Sequence, residues 1–154
     1  MSDGFLSNLR ALIDVDSSTG TRARYSSDAG LTRIAPLAVA FPRTREQAIV
    51  AFELARAHGI PLTARGGGTS CASNAIGPGL VLDFSRHMNR VLAIDPESRT
   101  ATVEPGCVGS TLQAAASAHG LRFGPDPSSQ NRATIAGMVA NNACGPHATA
   151  WGRT

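Results

Sequence analysis

PLAVAFPRTREQAIVAFELARAHGIPLTARGGGTS, residues 36–70, is the stretch that decides the fold. Its opening, PLAVAFP, is a short apolar run closed by Pro42, which suits a buried strand. Thr44 and Gln47 then stand at capping-box spacing, Ala48, Ile49, Phe52 and Ala55 form an apolar face, and Gly59 follows as a stop signal, so a helix is predicted. IPLTARG reads as a second strand, and residues 36–65 together predict a βαβ unit with parallel strands. That second strand runs straight into Gly66, Gly67 and Gly68. Three adjacent glycines cost backbone entropy and bury no side chain, so a folded domain keeps them where the backbone itself has a task. At the C-terminal end of a parallel strand, where ligands of such sheets bind, successive N–H groups can converge on a phosphate oxygen.

Working outward, Phe5, Leu6, Leu9, Leu12 and Ile13 share one helical face behind Asp3, a candidate N-cap. Residues 15–33 are polar and read as a surface loop. Downstream, Gly79–Ser85 reads as a strand, and residues 91–106 read as a hairpin turning at Asp95, Pro96 and Glu97. Ser110 and Gln113 have capping-box spacing at the head of a helix that Gly120 ends. Gly124 and the prolines around Asp126 fix an extended path, and the small residues of 133–145 suit a short helix. The fold class is α+β: a small parallel βαβ subdomain followed by a mixed strand and helix subdomain. The expected division is an N-terminal helix and loop over residues 1–35, then a ligand-binding domain over 36–154.

Composition excludes several functions. With 154 residues, 42% hydrophobic and 16% charged, the chain suits one globular domain. The net charge is +3, but all 14 cationic residues are arginines, scattered singly among few aromatics, so no nucleic-acid stripe exists. The absence of lysine excludes a Schiff base and a Walker P-loop. The glycine loop is no dinucleotide fingerprint either, because position 71 holds cysteine and a strand follows where a helix is required. Cys71, Cys107 and Cys144 are widely spaced and read as buried free thiols in a reducing compartment; no metal site is expected. The N-terminus lacks a signal-peptide pattern and no run is long enough for a membrane span, so a cytoplasmic location is expected. His58, His87, His119 and His147 read as structural or exposed.

Three blocks go further. PLTARGGGTSCASNAIGPGLVLDFS (61–85), VEPGCVGSTLQAAASAHGLRFGPDPSSQNRATIAGMVANNACG (103–145) and WGRT (151–154) together resemble the FAD-binding domain of the vanillyl-alcohol-oxidase (PCMH-type) superfamily, in particular the D-lactate and glycolate dehydrogenase branch of FAD-linked oxidases. The resemblance covers residues 36–154. It implies that main-chain N–H groups of Gly66, Gly67, Gly68, Thr69 and Ser70, with Asn74, hold the FAD diphosphate. It further implies that Pro105, Gly106, Pro125, Asp126, Ser128, Thr134, Gly137, Met138, Asn141, Asn142 and Gly145 line the flavin and ribityl chain. Each charge-assisted N–H bond to a phosphate would contribute roughly 1.5–3 kcal/mol. Ala136, Gly137 and Ala140 keep one surface low enough for a flat ring. Arg65 stands between two readings, a balance for phosphate charge and a surface or salt-bridged arginine. Ser73 and Ala136 depart from the family, since many relatives have glycine there.

The implied function is a flavin-dependent oxidoreductase that oxidises a small 2-hydroxy acid and passes electrons to an acceptor other than NAD. Alternatives of the same fold are a flavin-carrying electron-transfer module or reductase, and a noncatalytic domain. Covalent relatives carry a histidine just after the third glycine; Thr69 stands there, so noncovalent FAD is expected. Relatives continue past this point into the rest of the FAD domain, a substrate-binding cap and often an iron–sulfur region, so catalytic residues are expected beyond Thr154, and residues 1–154 alone are expected to be inactive and to bind FAD weakly. Gly67→Val is expected to push a side chain into the phosphate space, and Gly79→Ala, at a turn without a ligand, to leave flavin binding unchanged.

Overall fold

The computed structural model describes residues 2–154, with side chains from residue 4 onward. The chain runs through helix α1 (Ser2–Arg10), strand β1 (Asp14–Asp16), helix α2 (Thr19–Arg24), strand β2 (Ala38–Phe41), helix α3 (Arg45–Ala57), strands β3 (Leu62–Arg65), β4 (Leu80–Asp83), β5 (Val91–Asp95) and β6 (Thr100–Val103), and helices α4 (Gly109–Ser117), α5 (Ile135–Ala140) and α6 (Ala148–Trp151). This is the expected α+β class. A four-stranded sheet has the order β1-β2-β4-β3, and β5 and β6 form a separate antiparallel pair.

β2 and β4 occupy the centre of the larger sheet, and every residue of both is buried. Successive side chains alternate between faces. Ala38, Ala40, Leu80 and Leu82 pack with Phe5, Leu9 and Ile13 and with Ala51 and Ala55, while Val39, Phe41 and Val81 meet Tyr25 on the other side. β2 and β3 are parallel as predicted, yet they do not touch: β4 lies between them and pairs in parallel with both. The βαβ crossover therefore skips one position, and the later strand fills it.

The face of α3 differs from the predicted one. Ala51 and Ala55 are buried, whereas Ile49 and Phe52 are 45% and 54% exposed. Ala51 and Ala55 pack into one cluster with Ala38, Ala40, Leu80 and Leu82, with Leu54 half-buried against it, so the buried stripe runs through 51, 54 and 55 and leaves Ile49 and Phe52 facing outward. The cap is close to prediction: Thr44 Oγ1 accepts from Gln47 N at 3.3 Å, but the Gln47 amide oxygen accepts from Arg43 N at 2.8 Å instead of from Thr44. α1 begins at Ser2, so Asp3 falls inside its first turn instead of capping it; the Asp3 side chain lies outside the described residues. Because α1 ends at Arg10, Leu12 leaves the helical period and is 52% exposed.

Residues 15–33 are not simply a loop. β1 pairs antiparallel with β2, and α2 follows with Ser18 as its N-cap. The polar residues there are capping chemistry. Asp16 accepts from Ser18 N at 2.7 Å and Thr21 Oγ1 at 2.6 Å, and these bonds hold its carboxyl at about 2. α4 also departs from expectation, since its N-cap is Val108 without a side-chain bond and Ser110 lies within the first turn. Its free N–H groups find backbone partners instead: Gly109 N donates to Ala133 O and Ser110 N to Gln130 O, both at 2.9 Å. The hairpin turn is as predicted, with Asp95 accepting from Glu97 N at 2.9 Å.

Tyr25 ties α2 to the sheet. Its hydroxyl donates to Asp83, which is 4% exposed and also accepts from Ser85 N and Ser85 Oγ. Burial, and then the bond to Asp83, push the Tyr25 hydroxyl up to about 12. A folded pKa raised above the ordinary value of 10.0 means that this contribution is fully present below pH 10 and is lost as pH rises toward 12. Tyr25→Phe should cost about 1–3 kcal/mol at pH 7 by withdrawing a donor from a buried carboxylate. It should also flatten the alkaline loss of stability. Urea unfolding midpoints of both proteins between pH 7 and 12 check this.

Candidate cofactor site

The glycine loop leaves β3 at Arg65 and returns at Ala75 toward β4. Facing it is the segment 129–143, which contains α5. Between them lies a cavity of about 570 Å³, lined also by Phe84 and Pro105.

The glycines press this loop onto its neighbours. A Cβ at Gly66 would overlap Thr134 Oγ1, and one at Gly67 would overlap the Arg132 carbonyl oxygen. Gly68 has φ +65°, and a Cβ there would lie 2.5 Å from Arg65 Nη2. The absent side chains thus point into protein, and the Gly67 position does not project into the cavity as expected. Among the described residues, the N–H groups of Gly66, Gly67, Gly68, Thr69, Ser70 and Cys71 donate to no acceptor. Gly67 and Cys71 are exposed, while Gly66, Gly68, Thr69 and Ser70 are half-buried, and N–H groups withdrawn from water are nearly always paired. A run of six N–H donors without protein acceptors beside a cavity is chemically suited to an anion.

The remaining predicted residues divide into two groups. Gly66, Gly67, Gly68, Thr69, Ser70, Asn74, Pro105, Thr134, Gly137, Met138 and Asn141 line the cavity, as do Ala136 and Ala140. Ser70 Oγ also accepts from Ala72 N at 3.2 Å, which stabilises the turn. Asn74 Nδ2 donates to Asn141 Oδ1 at 2.6 Å, and Asn141 Nδ2 donates to Gly137 O at 2.9 Å, so the two asparagines tie the loop to α5. Thr134 is buried and caps α5 by accepting from Gly137 N. Met138 is 2% exposed.

Gly106, Pro125, Asp126, Ser128, Asn142 and Gly145 do not line this cavity. Gly106 is a packing glycine: a Cβ there would overlap Phe84 O, and its N–H donates to Met88 O at 2.7 Å. Asn142 takes φ 47° just after α5. Asp126 lies against Gly145 and meets His147 Nδ1 at 2.5 Å, and this bond holds its carboxyl below the usual carboxylate range. Sequence reasoning did not assign Phe84, Ser129, Ala133 or Cys71 to the lining, although all four lie inside the blocks 61–85 and 103–145 that carry the resemblance. Cys107 is buried, but Cys71 and Cys144 are exposed, because they sit on the loop and beside α5 instead of in the core. No helix of the described residues is long and apolar enough to cross a membrane.

Comparisons agree with this geometry. Residues 36–154 match the family described as FAD binding domain. The chain is 37% identical over 144 residues to D-2-hydroxyglutarate dehydrogenase of Pantoea ananatis, covering 92% of this chain and 14% of that protein. It is 36% identical over 142 residues to the glycolate oxidase subunit GlcD of Bacillus subtilis, covering 90% of this chain and 30% of that one. It therefore spans only a small part of the length of these relatives. A solved alkyldihydroxyacetonephosphate synthase superposes with TM-score 0.88 at 21% identity, over 98% of this chain and 31% of that one, which shows the fold. A solved p-cresol methylhydroxylase shares the fold as well, with TM-score 0.76 at 21% identity over 92% of this chain and 29% of that one, and the chain belongs to the FAD binding domain family.

Proposed function

We propose that this chain holds FAD noncovalently at the glycine loop, as part of an oxidoreductase that oxidises a small 2-hydroxy acid and reduces an acceptor other than NAD. The observation that carries the reading is the run of six N–H groups, Gly66 to Cys71, without acceptors among the described residues. They fit the diphosphate, which spreads two negative charges over several oxygens. The low surface of Ala136, Gly137 and Ala140, with Phe84 and Pro105 lining the same cavity, fits flatter and less polar parts of the cofactor. When bound, the flavin supplies the redox chemistry. The chain's own residues bind and orient it: the loop fixes the diphosphate, and the Asn74–Asn141 bond keeps the two walls together. The substrate class is supported by the names of the relatives, a 2-hydroxyglutarate dehydrogenase and a glycolate oxidase subunit. Free thiols accord with a reducing compartment, and we place the protein in the cytoplasm.

Two measurements on the intact gene product test this. FAD titration followed by flavin fluorescence should show saturable binding, and no binding would end the proposal. Acid precipitation should leave the yellow colour in the supernatant, because Thr69 offers no histidyl attachment. Colour in the pellet would show a covalent link.

A further inference from the structure

Arg65 stands where the glycine loop begins, and its guanidinium reaches the residue where the loop ends. Nη1 donates to Ala75 O at 3.0 Å. The other backbone group of Ala75, its N–H, donates to Asp28 Oδ2 at 3.3 Å. Asp28 belongs to the segment after α2 and also accepts from Gly30 N at 2.8 Å. The guanidinium carbon lies 5.0 Å from the centre of the Tyr25 ring, and Tyr25 is itself anchored by its bond to Asp83. Nη2 sits against Gly68, at the turn of the loop where φ is +65°. One planar fork therefore meets the loop at its start, its turn and its end, over an aromatic floor.

We propose that Arg65 is a positioning residue that closes the loop into a ring and presets its N–H groups before any anion arrives, and that it is not a direct phosphate ligand. The proposal rests on the reading of the loop as a diphosphate cradle. Six N–H dipoles without acceptors crowded into one short loop repel one another, so an unbraced loop would spread, and each binding event would then bear the cost of ordering it. A braced loop has met that cost during folding. The geometry needs a fork: a lysine ammonium keeps the charge and can reach one carbonyl, but as a single point it cannot reach Ala75 O and Gly68 at once. This separates the two readings of the arginine, since a charge partner for phosphate is replaceable by lysine and a brace is not.

The test uses Arg65→Lys, Arg65→Met and Asp28→Ala in the intact gene product. Without FAD, limited subtilisin digestion with mass mapping should cut within residues 66–75 about tenfold faster in all three variants, because local opening exposes the loop. FAD affinity should fall about tenfold in both Arg65 variants, as preorganisation is lost. Asp28→Ala combined with Arg65→Met should be less than additive, since both act on Ala75. Restoration of affinity by lysine, or unchanged cleavage in Arg65→Met, would overturn the proposal. If the unaltered protein binds no FAD while cleavage responds as described, the cofactor reading fails and the brace stands.

Discussion

Gly67→Val should lower the affinity of the intact gene product for FAD at least a hundredfold. The cause is indirect. A Cβ at position 67 would overlap the carbonyl oxygen of Arg132, a backbone atom that cannot rotate aside. Either the loop or the 132–134 segment has to move. Overpacking of this kind costs about 1–3 kcal/mol in stability. The larger effect is on binding. Displacing the loop by an ångström misaligns at least two N–H donors, each worth roughly 1.5–3 kcal/mol when the acceptor is charged. A loss of about 3 kcal/mol already corresponds to a hundredfold in affinity. Flavin content after purification, read together with thermal stability with and without added FAD, checks this. A folded, less stable protein that still carries its full complement of flavin would mean that the glycines serve only the turn.

Gly79→Ala should destabilise the protein by about 2–5 kcal/mol, combining overpacking with disturbed backbone hydrogen bonds. From the sequence this glycine reads as a harmless turn residue, and the structure reverses that expectation. A Cβ at Gly79 would overlap the carbonyl oxygen of Pro61, which accepts from Leu80 N at 2.8 Å where β3 and β4 begin to pair. Gly79 O in turn accepts from Leu37 N at 2.8 Å, just ahead of β2. One methyl group would thus pry apart three parallel strands at their common start. Since β3 delivers the glycine loop, flavin should be lost with stability. The suitable control is Gly20→Ala in α2, where nothing lies within 4 Å; removing a helix glycine should stabilise by about 0.5–1 kcal/mol. Thermal unfolding of the two variants should move in opposite directions, and equal stability of Gly79→Ala and the parent would refute the packing argument.

These two cases show why local signals carry so far and no farther. The strand, helix and strand of residues 36–65, the hairpin around Asp95 and the glycine loop after β3 were readable from sequence. Hydrophobic period, proline and glycine punctuation and Thr44 capping are all properties of neighbours along the chain. So was the resemblance that pointed to FAD, because its motifs are contiguous. What the sequence misread depended on residues far apart. The buried face of α3 turned toward Ala51 and Ala55 because they meet a cluster assembled from distant segments, with Phe5 and Leu9 of α1, Ala38 and Ala40 of β2 and Leu80 and Leu82 of β4. β4 took the place between β2 and β3 because its uninterrupted apolar run can be covered on both faces only at the centre of the sheet. The head of α4 needs no side-chain cap because Gln130 and Ala133 supply carbonyls.

The candidate site shows the same division. By itself the sequence pointed to a backbone-built anion site, since three glycines run on from the end of a parallel strand. Only the tertiary structure decided which way those glycines face. Gly66 and Gly67 lie flush on residues 132–134, and Arg65 braces the loop through Ala75, a residue ten positions away. The physical reason is that a donor surface depends on the direction of N–H groups. Direction is set by what the other side of the backbone packs against, and that partner is chosen by the fold.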